Sequence, residues 1–172
     1  MPDYEQINAL ARQAFEHWGA GRLAEAAEGY AGAVALVHGQ GLPAVADLHA
    51  QWAGVLDAQG RLDAAVTQSE QALAAELAQP QADSTPSVKI ARYFLADRLV
   101  RQGQPQRALD VLAPSMAALP HDWLLNMAQA EALLGAGRAD DAAAAAQRAL
   151  ANAPSDDKRA QLAERLAPAL AG

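Results

Sequence analysis

The sequence predicts an all-α protein in which antiparallel helix pairs stack into an α-solenoid. Two observations lead to this prediction. A glycine is followed five residues later by an alanine at four places, and another alanine stands seven residues before each glycine. The four sets are Ala14, Gly21 and Ala26; Ala53, Gly60 and Ala65; Ala96, Gly103 and Ala108; and Ala130, Gly137 and Ala142. Small residues that recur in a fixed order are typical of stacked helical hairpins.

Each repeated residue has a physical role in such a hairpin. Glycine adopts a positive φ at little cost, so it can end one helix and let the chain reverse. An alanine inside the next helix leaves no large side chain between the pair, which can then pack at the short end of roughly 8–10 Å. The four glycines are therefore predicted to be turns and the alanines to be buried.

The composition agrees with a thin, closely packed helical core. Hydrophobic residues make up 52% of the 172 residues, but only 5% are aromatic. Helices of about 14–18 residues are marginal in water on their own, so stability must come from stacking. The chain has no cysteine, which excludes disulfides and thiolate metal sites.

Charge and hydropathy narrow the class of function. A net charge of −7 argues against nucleic acid as a partner, since phosphate binding needs clustered cations. The first ten residues lack the basic and apolar segments of a signal peptide. No apolar run approaches the roughly 18–20 residues that span a bilayer. We expect a cytoplasmic protein with no membrane span.

Capping and breaking residues divide the chain into four pairs and a final helix. Asp3, Thr85, Asp122 and Ser155 can cap helices, and Pro43 and Pro86 suit a first helical turn. The predicted segments form a single array over residues 3–170. The four repeats cover residues 3–37, 43–78, 86–118 and 122–153. Residues 155–170 are predicted to form a capping helix whose Leu162, Leu166 and Leu170 cover the end of the stack.

Three residues do not suit a regular helix interior. Gly29 and Gly32 each cost roughly 1 kcal/mol relative to alanine, so either another backbone comes very close there or this end is loose. Pro114 should kink or break the helix over residues 104–118, because a regular helix interior loses about 3 kcal/mol to proline.

These patterns resemble the tetratricopeptide repeat family over nearly the whole chain. Residues 123–154 match best, and the spacing from Gly103 to Gly137 equals the family period of roughly 34 residues. The family's early bulky position holds Leu10, His49, Arg92 and Asn126, so polar residues replace an apolar one in three repeats. The resemblance implies a right-handed superhelix that binds peptides or proteins in a groove lined by the first helix of each pair.

Catalytic and metal sites are not indicated. His17 occupies a helix core position, His49 a helix, and His38 and His121 predicted loops, and none has a carboxylate at a metal-ligand spacing. The paired aspartates at 140–141 and 156–157 start helices, where the dipole favours anions. We therefore expect a non-enzymatic protein without cofactors.

The family register places a set of first-helix residues in the groove. Residues 90, 93, 94, 97 and 101 share one arc of a helix, opposite Leu95 and Leu99. The alternative is that these side chains pack against neighbouring helices or the 79–87 loop. The predicted groove residues are Phe15, Trp18, Ile90, Tyr93, Phe94, Asp97, Arg101, Leu124, Met127 and Glu131, with Ala11, Ala50, Gln51 and Asp57.

Charge is uneven along the chain and bears on the partner. Residues 84–107 carry five cations against Asp97, namely Lys89, Arg92, Arg98, Arg101 and Arg107. A basic collar beside an aromatic arc would suit a protein or peptide with apolar anchors and nearby carboxylates. A head-to-tail homodimer and a solvated face are the alternatives. A chaperone for a hydrophobic client and a small-molecule or peptide-signal sensor are the other functions that the sequence leaves open.

Overall fold

The computed structural model describes residues 4–80 and 82–171, and in these residues all regular secondary structure is helical. Backbone contacts divide the chain into two compact units, Met1–Pro80 (unit 1) and Gln81–Gly172 (unit 2). The boundary lies in the loop that the sequence marked as least helical. The single array over residues 3–170 stays a prediction, and each unit is described by itself below.

Unit 1 consists of two helical hairpins. Helix α2 packs against both α1 and α3, and its fully buried Tyr30 donates a hydrogen bond from Oη to Gln51 Oε1 at 2.7 Å. The core lies between these helices and is made mainly of alanine and valine. The four helices are α1 (Tyr4–Gly19), α2 (Leu23–Gly39), α3 (Ala46–Ala58) and α4 (Leu62–Leu77).

Unit 2 contains two further hairpins and two short C-terminal helices. Helix α7 packs against α5, α6 and α8, and α10 packs against α8. Leu162 and Leu166 are buried in one core with alanines of α8. The six helices are α5 (Pro86–Arg101), α6 (Pro105–Ala118), α7 (Trp123–Gly135), α8 (Ala139–Ala151), α9 (Asp156–Arg165) and α10 (Ala167–Leu170).

The repeated glycines and alanines have the predicted roles. The four turn glycines have φ between 72° and 76°. After each one, the next amide donates to the carbonyl five residues back, as from Arg138 N to Leu133 O at 2.9 Å. Ala26, Ala65, Ala108 and Ala142 have no exposed surface. Glycine therefore ends each first helix and alanine lets the second pack closely, as the sequence indicated.

Gly29 marks a close approach of α2 to α1, which decides between the two explanations offered above. A Cβ at Gly29 would lie 2.8 Å from Ala14 Cβ and 3.3 Å from Ala14 Cα. At Gly32 a Cβ would meet only Leu10 Cδ1 at 3.6 Å, an ordinary contact. Gly29 is thus required by packing, whereas Gly32 is not.

We expect Gly29→Ala and Gly32→Ala to change stability in opposite directions. Gly32→Ala should raise the free energy of unfolding by up to about 1 kcal/mol, because alanine favours helix over glycine. Gly29→Ala should lower it by about 1–2 kcal/mol, since overpacking exceeds that gain. Urea unfolding followed by circular dichroism measures both. Equal stabilisation by the two substitutions would show that α1 and α2 do not approach so closely.

The polar residues at the family's bulky position are buried and hydrogen-bonded. His49 Nδ1 lies 2.8 Å from Gln68 Oε1. Asn126 donates to Pro120 O and Asp122 O, each at 2.9 Å, and accepts from Arg148 Nε. Buried polar groups cost stability unless they are paired, so these partners are what allows each substitution.

Arg92 attaches the loop that precedes α5 to the rest of unit 2. Its Nη1 donates to Val111 O at 2.8 Å and its Nη2 to Asp83 Oδ1 at 2.6 Å. Ser115 Oγ donates to Asp83 O at 2.6 Å. Arg92 had been predicted as part of the basic collar. Its burial removes it from that surface.

Several predicted helix starts need correction. Helix α3 begins at Ala46 rather than at Pro43, because the amides of Leu48 and His49 both bond to Val45 O. Thr85 is at the N-cap, but its hydroxyl donates to Ala82 O and caps no amide. Asp122 and Ser155 accept amide hydrogen bonds as predicted. Asp3 lies outside the described residues.

Three further expectations differ from the structure. His38 belongs to α2 and not to a loop. Helix α6 runs through Pro114 without a break. The final helix ends at Arg165 and restarts at Ala167, so Ala169 is buried where Leu170 was expected, and Leu170 is partly exposed.

Candidate interaction surfaces

Helix α5 of unit 2 exposes two large apolar side chains. Ile90 is 40% exposed and Phe94 is 47% exposed, one turn apart on the helix. The Phe94 ring lies 5.1 Å from the Tyr93 ring between centroids, and the Arg98 guanidinium lies 5.5 Å from the Phe94 centroid. Since soluble proteins seldom leave such side chains grouped in water, this part of α5 is a candidate docking surface.

Three other predicted groove residues lie in or against the core of unit 2. Met127 is only 3% exposed, and Leu124 and Tyr93 are partly buried against the same cluster. Met127 is therefore inaccessible to a partner. Tyr93 of the α5 arc therefore packs against neighbouring helices, which is the alternative that the sequence left open.

An ion-pair network connects α5, α7 and α9. Arg165 donates from Nε to Glu131 Oε1 at 2.5 Å and from Nη2 to Glu131 Oε2 at 3.0 Å. Asp97 lies 3.6 Å from Arg165 Nη2 and also pairs with Arg101 at 3.2 Å. The hydrogen bonds to Glu131 raise the pKa of Arg165 above its already high value. The structure thus brings together Asp97, Arg101 and Glu131 through a residue that sequence reasoning missed.

The cations of residues 84–107 are engaged within unit 2. Lys89 Nζ lies 2.8 Å from Asp122 Oδ2, and Arg107 Nη1 donates to Gln104 Oε1 at 2.5 Å. Arg98 is buried beneath Phe94, and Arg101 pairs with Asp97. Arg92 and Arg98 are buried, whereas Arg101 and Arg107 remain exposed, so only part of the collar inferred from the sequence lies on the surface.

Unit 1 presents an aromatic surface on α1. Phe15 is 59% exposed, and Trp18, one turn later, is half-buried against the core. A Cβ at Gly54 would lie 2.6 Å from Trp18 Cη2, so the indole occupies the space over α3 that a side chain would fill. Ala11 and Gln51 are partly buried, Ala50 is exposed and Asp57 is partly buried.

Two other features of unit 2 were not foreseen. A cleft of about 470 Å³ lies among α6, α7 and α8, and its lining includes apolar Leu109, Leu112 and Met116 and basic Arg138 and Arg148. Lys158 Nζ on α9 lies 5.6 Å from the centroid of the Trp123 ring. Neither the cleft nor this cation–π contact has a short-range sequence signal.

Residues 4–80 and 82–171 contain no cluster of three or more histidine or acidic side chains that could hold a metal ion. No helix in this part of the chain is long and apolar enough to cross a membrane.

Comparison with solved structures identifies the fold. MamA from Desulfovibrio magneticus RS-1 superposes with a TM-score of 0.69 at 18% identity, over 96% of this chain and 94% of that one. YrrB, described as a TPR protein with an unusual peptide-binding site, superposes with a TM-score of 0.66 at 18% identity, over 98% and 84%. This chain has the tetratricopeptide repeat fold.

The same repeat fold occurs within a much longer chain. The APC/C hetero-tetramer Cut9-Hcn1 matches with a TM-score of 0.67 at 17% identity, but this chain spans only 29% of that one. Neither a protein-family model nor a curated protein matches the chain in sequence. In the repeat fold, α1, α3, α5 and α7 are the first helices of the four pairs, and the exposed aromatic residues Phe15 and Phe94 lie on two of them.

Proposed function

We propose that this protein is a non-enzymatic scaffold that binds a protein or peptide segment through the first helices of its repeats. The observation that carries the proposal is the exposure of Phe94 and Ile90 on α5, beside the Tyr93 ring. Aromatic side chains contribute strongly to interfaces because they bury a large area at low entropic cost. YrrB, which shares the fold, is described as having a peptide-binding site.

The chemistry of the α5 surface supports an apolar anchor on the partner. Phe94 lies close to the Arg98 guanidinium and to the Tyr93 ring, and nearby Asp97 pairs with Arg101 and Arg165. A partner that covered this surface would bury apolar area without having to compensate a free charge. The paired charges around it would form the polar rim that interfaces usually have.

Replacing both Ile90 and Phe94 with alanine tests the proposal. Ile90→Ala/Phe94→Ala should reduce capture of the partner by about tenfold or more, because loss of an interface hot spot costs at least about 2 kcal/mol. The tagged full chain would be used to capture proteins from lysate of the cells that make it, with quantitative mass spectrometry as the readout.

Leu170→Ala is the matched control for this experiment. Leu170 is an exposed leucine of unit 2 on α10, which is not a first helix of a repeat, so its loss removes apolar surface away from the proposed binding helices. Both variants should keep the far-UV circular dichroism of the wild type. Equal capture by the wild type and the α5 double variant would refute the α5 surface as the binding site.

A further inference from the structure

We infer that the α1–α3 face of unit 1 binds a polypeptide segment whose apolar side chain is flanked by lysine or arginine. The inference rests on the proposed scaffold function and specifies the chemistry of one partner. It concerns a surface whose residues all belong to unit 1.

The apolar part of this face is assembled by spacing along α1. Tyr4, Ala11, Phe15 and Trp18 recur at intervals of seven, four and three residues, which places them on one side of a helix. Tyr4 is 58% exposed and Phe15 is 59% exposed. The face therefore extends along the length of the helix.

The absence of a side chain at Gly54 lets Trp18 of α1 pack onto α3 at this face. The missing side chain leaves room for the Trp18 ring over α3, at a cost of roughly 1 kcal/mol in helix propensity relative to alanine. The partly buried indole consequently bridges α1 and α3. Aromatic side chains of this kind are enriched among the residues that dominate binding at interfaces.

The charge surrounding this face is acidic. Residues 1–80 contain 3 basic and 10 acidic side chains, whereas residues 81–172 contain ten of each sign, so the net charge of −7 resides in unit 1. Asp47 lies two turns before Gly54 and Asp57 one turn after it, on the same side of α3.

The carboxylate of Asp47 is available to a partner cation. Asp47 is exposed and forms no ion pair with a described residue. The net negative charge of unit 1 would speed association with a basic segment, and Asp47 could pair with it. This is the reverse of the partner charge that the sequence suggested for α5.

Selection from a random-peptide display library against the immobilised full chain tests the inference. The enriched peptides should carry lysine or arginine beside an aromatic or aliphatic residue. For an enriched peptide synthesised with a fluorophore, Phe15→Ala should weaken binding by about tenfold, and Asp47→Asn by about threefold. Raising the salt concentration should weaken binding to the wild type and have less effect on the Asp47→Asn variant.

The α5 double variant Ile90→Ala/Phe94→Ala is the control for location. Enriched basic peptides should bind it as tightly as the wild type. If binding is instead lost in the α5 variant and kept in Phe15→Ala, this inference fails while the scaffold function stands. Enrichment of neutral or acidic peptides also overturns it, and if no peptide is enriched, both this inference and peptide binding by the scaffold fail.

Discussion

Replacing Ala142 with leucine is expected to lower the free energy of unfolding of unit 2 by about 3 kcal/mol. Ala142 has no exposed surface and lies in the core cluster with Ala130 and Leu133 of α7. The three added carbon atoms have no space unless α7 and α8 move apart, which would disrupt the contacts of their other alanines. In thermal unfolding the melting temperature should fall by roughly 10–20 °C.

Ala144→Leu provides the matched control on the same helix. Ala144 is exposed on α8, and alanine and leucine have similar helix propensities, so the free energy of unfolding should stay within about 0.5 kcal/mol of the wild type. If both variants melt like the wild type, the close packing of α7 against α8 is wrong. If both are destabilised equally, the effect arises from the helix itself and not from its interface.

Replacing Asp83 with asparagine is expected to cost about 2–3 kcal/mol, because it leaves the Arg92 guanidinium buried without an anion. The Arg92 side chain is 8% exposed and that of Asp83 is 40% exposed. The amide oxygen of asparagine can still accept from Arg92 and water reaches this partly exposed position, which keeps the cost below that of a fully buried pair. Ser115 still donates to the backbone of residue 83, so the loop keeps one of its attachments.

A double-mutant cycle separates the ion pair from packing. Arg92→Met keeps most of the side-chain volume and removes the buried charge, so it should cost about 1 kcal/mol, mainly from the lost hydrogen bond to the Val111 carbonyl. Arg92→Met/Asp83→Asn should be no less stable than Arg92→Met alone, since no unpaired cation remains. Additive losses in chemical denaturation would contradict a direct Arg92–Asp83 interaction.

The hairpins could be predicted from sequence because their determinants are local. A positive φ at Gly21 and a buried Ala26 depend on residues within two turns of each other. The start of α3 was predicted wrongly because proline suits a first helical turn but does not require one, and the chain stays non-helical until Ala46. The register of the last helix failed because the break after Arg165 rotates the residues that follow.

The candidate surfaces were predicted less completely than the fold. Helical periodicity placed Ile90 and Phe94 on one side of α5, and both are exposed. The burial of Arg92 had a usable signal, because it stands eleven residues before its turn glycine, as Leu10 and Asn126 do. The contact of Arg165 with Glu131 had no such signal in the sequence. The two residues are 34 apart, and their contact depends on how α9 lies against α7.

Trp123, whose ring lies close to Lys158 Nζ, can serve as a fluorescence probe of unit 2. The chain has three tryptophans, and Trp18 and Trp52 both belong to unit 1. With those two changed to phenylalanine, the remaining indole would emit from beneath the Lys158 ammonium group. Its fluorescence would then follow the docking of α9 against α7 in solution, separately from events in the first two hairpins.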